Sequence, residues 1–292
     1  MSESVAIIGP GRMGLALGMA LFETGTADRI SFFGRSLDAP PHPLFDRSSE
    51  DIVIEYRMGL PPPHRGTTAV ILAVPDTALA EVAWNLAGAG PAPPGCAALH
   101  LSGALSVDPL TPLHDAGYAV GSMHPLQTVA DPWHGDNRLD GVSFAVAGEP
   151  SAVRTARRLV DGMGGNSLVI PTALRPLYHA AAVMASNYIV TLVAAASAAL
   201  GEAGVPDEDR LPALLPLVQG TVDNLRHLGV AAALTGPIAR GDADTVRLHL
   251  ARLSGDARTL YCALGQETVR LARVAGLDED RAAEIESLLY IG

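Results

Sequence analysis

Val5-Ala-Ile-Ile8-Gly9-Pro-Gly11-Arg-Met-Gly14 is a short apolar strand pattern that runs without pause into three glycines. Met13–Phe22 then carries the apolar spacing of a helix, so strand, tight turn and helix follow one another. The glycine spacing Gly-x-Gly-x-x-Gly in that context makes a phosphate cradle. Gly9 is expected to form the turn, Gly11 to let the backbone approach a pyrophosphate, and Gly14 to let helix and strand pack closely. Pro10, Arg12 and Met13 fill the positions between, and the helix start offers unpaired N–H groups to the phosphates.

Seven more strand patterns follow: Ile30–Phe33, Ile52–Tyr56, Val70–Val74, Ala97–Leu101, Tyr118–Ser122, Val142–Val146 and Ser167–Ile170. Several are continuous apolar runs, as strands buried on both faces should be. Helical patterns at Thr77–Leu86 and Ala152–Met163 alternate with them. The expectation is an α/β fold with a doubly wound, mostly parallel sheet. After Pro171 strand patterns stop, and helical ones follow at Pro176–Ala203, Asp207–Leu228, Asp242–Val274 (broken near Ser254-Gly255) and Asp278–Leu289. We expect a nucleotide-binding domain over residues 1–171 and an all-α substrate and dimerisation domain over 172–292. Asp207, Asp242 and Asp278 are placed to cap helices.

The end of the second strand bears on the cofactor. An NAD site would carry a carboxylate there for the ribose hydroxyls, whereas this chain has Gly34-Arg35-Ser36 and no carboxylate before Asp38. Arg35 and Ser36 suit a 2′-phosphate, which predicts NADP(H). Val74-Pro75 closes the fourth strand at the same edge, and Asp76 after it reads better as a helix cap than as a substrate contact.

Polar residues gather along the rest of that edge. His100-Leu-Ser102-Gly103 ends one strand and Ser122-Met-His124-Pro-Leu-Gln127 another. The histidines either hold turns through loop carbonyls or line the nicotinamide end of a crevice. On the first long helix, His179, Ser186 and Asn187 fall on one stripe, beside Tyr178. A substrate or a helix–helix hydrogen bond would satisfy that stripe. Catalytic roles are expected for His179, as proton donor, and for His124, Ser102 and Asn187 in orienting the substrate. The histidines lack metal-ligand spacing, so no metal is expected. In Thr235-Gly-Pro-Ile-Ala-Arg240-Gly-Asp242, Arg240 either clamps a carboxylate, meets a neighbouring subunit or holds its loop.

Composition narrows the function classes. All twenty basic residues are arginine, which excludes a Schiff-base lysine and a Gly-Lys-Ser/Thr phosphate loop. A formal net charge of −11 argues against nucleic acid as a partner. Two distant cysteines and the absence of an export signal fit a cytoplasmic protein. Residues 180–200 carry no formal charge over 21 positions, but nine are alanine and four are Ser, Thr or Asn. We read them as a buried core or interface helix and expect no membrane span.

Taken together, these motifs resemble a bacterial family of Rossmann-like proteins with a C-terminal domain of unknown function. That family is related to pyrroline-5-carboxylate reductase, ketopantoate reductase and the 6-phosphogluconate dehydrogenase group. The resemblance spans the chain and rests on Gly9–Gly14, Leu72–Asp76, His100–Gly103, His124–Gln127, Tyr178-His179 with Asn187, and Thr235–Asp242. It implies an NADP-linked reductase acting on a small substrate with a C=O or C=N bond, and a homodimer built by the helical domain. Ketopantoate leads by analogy alone. Ketopantoate reductases carry a catalytic lysine where this chain has His179, with Asn187 matching their asparagine. The missing lysine keeps open a non-catalytic NADP(H)-binding sensor or scaffold.

Overall fold

The computed structural model describes residues 3–47, 51–131 and 139–290, and within them the chain divides into two compact units, Met1–Ser186 and Asn187–Gly292. In the first, eight strands form one sheet: β1 (Glu3–Ile8), β2 (Ala27–Gly34), β3 (Val53–Met58), β4 (Ala69–Leu72), β5 (Ala97–His100), β6 (Ala119–Pro125), β7 (Ser143–Gly148) and β8 (Asn166–Val169). Their order is β3-β2-β1-β4-β5-β6-β7-β8. The first six run parallel; β7 is antiparallel to β6, and β8 runs parallel to β7. The chain reverses direction of travel across the sheet between β1 and β4, the switch point where such sheets bind ligands.

The strands are buried on both faces because successive residues serve different cores. Val5, Ile7, Ile71 and Leu99 pack with Leu15, Leu17 and Leu21 of α1 (Arg12–Glu23) and with Ala156 and Leu159. Ala6, Ile8, Val70 and Leu72 pack with Leu79, Ala83 and Leu86 of α2 (Leu79–Ala89) and with Leu113 of α3 (Thr111–Asp115). Helix α4 (Pro150–Gly162) supplies Ala156 and Leu159 to the first face. The predicted doubly wound sheet is what forms.

The expected single helix over 176–203 is two. Helix α5 (Arg175–Ala185) stops at Ser186, which leaves the helical region at φ −125°, ψ −73°, and α6 (Asn187–Glu202) starts anew. The continuous stripe through His179, Ser186 and Asn187 is therefore interrupted at Ser186. The expectation of a core helix fails as well: α6 has no buried residue, and the only one in α5 is Arg175. The stretch Thr172–Glu202 is long and apolar enough to cross a membrane by composition.

In the second unit α6 pairs with α7 (Asp207–Ala233), which bends at Gly229 with φ +74° and ψ 175°. The core of this unit comes instead from α8 (Pro237–Arg240), α9 (Ala243–Leu250), α10 (Gly255–Val274) and α11 (Glu279–Leu289). Val246, Cys262, Val269, Ala282, Ile285 and Leu289 fill it. Asp242 and Asp278 cap α9 and α11 as expected, each carboxylate accepting a backbone N–H. Asp207 does not cap: Pro206 holds that position, and Asp207 pairs with Arg210 at 3.0 Å.

Candidate active site

Each glycine of the first turn has a separate task. Gly9 adopts φ +99°, and a Cβ there would stand 2.5 Å from the carbonyl oxygen of Ala73, just past the neighbouring strand β4. A Cβ on Gly14 would meet the Gly9 carbonyl inside 3.0 Å, so that glycine lets α1 pack on the turn. A Cβ on Gly11 would meet no neighbouring group within 4 Å, so that side of the backbone is open to a ligand. Gly11 caps α1 without a side-chain bond. The N–H groups of the first turn are then free to bind an anion.

A cavity of about 870 Å³ opens over this turn at the β1/β4 switch point. Gly9, Pro10, Gly11, Gly34, Arg35, Ser36, Val74 and Pro75 line it. Arg12, Met13 and Gly14 are not in its wall, since they form the first turn of α1 behind it. Asp38 and Glu81 also face the cavity, so it is not purely cationic. Its size and open glycine backbone fit a dinucleotide, whose nicotinamide would supply or accept the hydride when bound.

The polar cluster at the ends of β5 and β6 is organised by a residue the sequence reading passed over. Arg175, at the start of α5, is 1% exposed; its Nε donates to the carbonyl of Leu105 at 2.8 Å and its Nη2 to that of Ser102. Its Nη1 is buried without a partner. The loop 102–105 is therefore tied to α5 by a charged group held in the interior. Arginine in a first helical turn ordinarily faces water, and no local pattern announces the two carbonyls some seventy residues upstream that capture it.

His100 holds the same loop. Its Nδ1 accepts the Ser102 N–H at 3.1 Å, which leaves Nε2 to donate to the carbonyl of Ser106 at 3.0 Å. This is the turn-holding role that stood as its alternative. Burial, and then the Arg175 charge, push its pKa down to about 4. The Ser102 hydroxyl donates to Asp76 Oδ2 at 2.7 Å and accepts the N–H groups of Ala104 and Leu105 at 3.3 and 3.1 Å. It is fully engaged, so it positions Asp76 and the turn rather than presenting a free hydroxyl. Asp76 in turn reaches across to Ser102 where a helix cap was expected.

Beside this loop the structure brings together His124, Tyr178 and His179. The His124 ring stands edge-to-face with Tyr178 and with His179, both at 5.6 Å, and its Nδ1 is 2.9 Å from the Tyr178 hydroxyl. Burial first, then the neighbouring His179 and Arg175, push the His124 pKa down to about 4. His179 Nδ1 is buried and has no partner. Both rings press on Gly103: a Cβ there would fall 2.8 Å from His124 Nε2 and closer still to His179 Nδ1. Asn187, exposed at the first position of α6, belongs to the second unit. Among the described residues no group of three or more His, Cys, Asp or Glu is arranged to hold a metal.

Comparison with known proteins agrees with this architecture. Residues 2–125 match the model of a Rossmann-like domain, and residues 142–268 match the domain of unknown function DUF2520. No curated protein sequence matches the chain. Among solved structures, protein TM1727 from Thermotoga maritima is similar at TM-score 0.69 and 21% identity, covering 92% of this chain and 98% of that one. Pyrroline carboxylate reductase from Plasmodium falciparum, solved with NADP bound, is similar at 0.60 and 12%, covering 97% and 98%. A reductive aminase from Aspergillus terreus, in complex with NADPH and ethyl-5-oxohexanoate, is similar at 0.55 and 17%, covering 99% and 93%. The chain thus matches a Rossmann-like domain in its first part and DUF2520 in its second, and shares the fold of the pyrroline carboxylate reductases.

Proposed function

We propose that this protein is an NADP(H)-dependent oxidoreductase that moves a hydride to or from a small substrate with a C=N or C=O bond. The observation that carries the reading is the cavity at the switch point, where an open Gly11 backbone and Arg35-Ser36 line one continuous wall. Gly9–Gly11 and the start of α1 would hold the pyrophosphate, and Arg35 and Ser36 the 2′-phosphate. Val74-Pro75 lines the way from there toward the strand ends that carry Asp76, Ser102 and His124.

His179 is assigned as proton donor. Its Nδ1 is shut in against Gly103, which leaves Nε2 as the nitrogen for a ligand. His124, bonded to Tyr178, fixes the neighbouring wall, and Ser102 acts through Asp76 and its turn. Asn187 keeps its assignment as a substrate-orienting amide from its motif. The structural relatives are named as reductases of a pyrroline carboxylate and as a reductive aminase, which favours a C=N substrate. Ketopantoate gains no such support.

A homodimer built by the helical domain fits the same picture. Helices α6 and α7, of 16 and 27 residues, contain no buried residue, and Val190, Leu217, Leu228 and Val230 are all more than half exposed. Apolar faces of that extent ordinarily meet a second subunit. The test of catalysis is transfer of deuterium from C4-labelled NADPH into product across a panel of cyclic imines, amine–ketone pairs and keto acids. Label in a product supports the reading; cofactor that binds but never gives up its label would favour the sensor alternative.

A further inference from the structure

Gly34-Arg35-Ser36 leaves β2 as a short exposed link, and β3 holds it on both sides of the arginine. The Gly59 N–H donates to the carbonyl of Gly34 at 2.8 Å, and the Tyr56 hydroxyl donates to the carbonyl of Ser36 at 2.8 Å. Tyr56 lines the same cavity as Arg35 and Ser36. Its ring is set by Phe45, edge-on at 6.0 Å, which itself stands edge-on to Phe32 at 5.2 Å. The glycine at position 34 is part of this arrangement, because a Cβ there would meet the phenol oxygen inside 3.0 Å. An exposed arginine on a free loop would have to be ordered anew by each ligand, whereas a loop pinned before binding loses less on association.

We propose that Tyr56 is a specificity-determining residue for the 2′-phosphate, acting by holding the Ser36 carbonyl so that Arg35 and the Ser36 side chain are set in place before the ligand arrives. The inference rests on the NADP(H) reading above and adds a residue that no motif in the glycine turn includes. Tyr56 need not touch the phosphate itself; it is a positioning residue, and its loss should be felt only by ligands that carry the group it prepares for.

Calorimetric titration with 2′,5′-ADP and with 5′-AMP separates the cases, since the two ligands differ only in the 2′-phosphate. Tyr56→Phe keeps the ring against Phe45 and removes only the hydroxyl. It is expected to weaken 2′,5′-ADP about 3- to 10-fold, the size of one net hydrogen bond, and to leave 5′-AMP within about twofold. In an Arg35→Ala background the same change should cost less, since only the Ser36 side chain remains to be set. Gly34→Ala, which pushes the phenol off Ser36, should give the same selective loss by a second route. Equal weakening of both ligands, or no weakening of 2′,5′-ADP, would overturn the role of Tyr56 while leaving the cofactor reading intact. A wild-type protein that does not discriminate between the ligands would overturn the cofactor reading itself, and the inference with it.

Discussion

Replacing Gly103 by alanine is the sharpest perturbation of the candidate catalytic cluster, because one methyl group touches both histidines. The added Cβ would lie 2.8 Å from His124 Nε2, 3.0 Å from its Cε1, and nearer still to His179 Nδ1, while ordinary contact starts at 3.4 Å. The His124 ring must therefore withdraw by about 0.6 Å and His179 by more. The neighbours leave little room to absorb this, since His124 is bonded to Tyr178 and the loop is tied down by Arg175. Overpacking of this kind costs roughly 1–3 kcal/mol of stability. A displacement near 1 Å at a reacting group costs about 100-fold in rate. Gly103→Ala should thus lower kcat by about two orders of magnitude while NADPH affinity stays within about twofold, since Gly103 is not in the cavity wall. Stopped-flow turnover, nucleotide titration and NMR of the histidine ring nitrogens would read all three. In a His179→Ala background the alanine should cost far less, because most of the clash is gone. Unshifted ring resonances with full turnover would show that Gly103 does not set the two histidines, as would equal losses in turnover and cofactor affinity.

Other expectations follow from the same geometry. Gly11→Ala should fold with unchanged stability yet bind NADPH at least tenfold more weakly, whereas Gly14→Ala should lower the melting temperature because its Cβ meets the Gly9 carbonyl; equal effects in both assays would contradict the division of roles. His100 and His124 both titrate near pH 4 in the folded protein and near 6.5 when unfolded, so the stability tied to their neutral forms is complete above about pH 6.5 and is lost as pH falls toward 4. The loss should approach about 1.4 kcal/mol per pH unit for the fully buried His100, less for the partly exposed His124, and His100→Gln should reduce the slope in urea unfolding between pH 7 and 5. His179→Ala should abolish most turnover with NADPH affinity retained; unchanged turnover removes it as the proton donor. Light scattering should give a dimer mass, and a monodisperse monomer would leave the apolar faces of α6 and α7 unexplained.

The fold was legible because its signals are local. Each buried strand is a short run of β-branched and apolar residues, and each serves two cores, which is why Val5–Ile8 or Val70–Leu72 read as continuous rather than alternating. The glycine turn was legible for the same reason, since steric needs at Gly9 and Gly14 are written in adjacent positions. Gly229, where α7 bends, follows Leu228, the predicted end of that helix. What stayed hidden depends on partners far along the chain. Arg175 is buried because Ser102 and Leu105 offer carbonyls to it, and Asp76 leaves its expected cap because Ser102 is within reach. In sequence Tyr56 is only the end of a strand, since its hydroxyl finds Ser36 twenty residues earlier. The break at Ser186 carries no proline or glycine to mark it. The alanine-rich character of α6 suggests burial, yet α6 pairs with α7 and neither helix contributes a buried residue.

The cavity lined by Gly9–Gly11, Arg35 and Ser36 is proposed to hold NADP(H). Fluorescence titration of the purified protein with NADPH and, separately, with NADH tests it most directly, with Arg35→Ala alongside. NADPH is expected to bind clearly more tightly than NADH, with that preference lost in the variant while NADH binding is unchanged. Binding of neither nucleotide, or equal affinity for both in the wild-type protein, would contradict it.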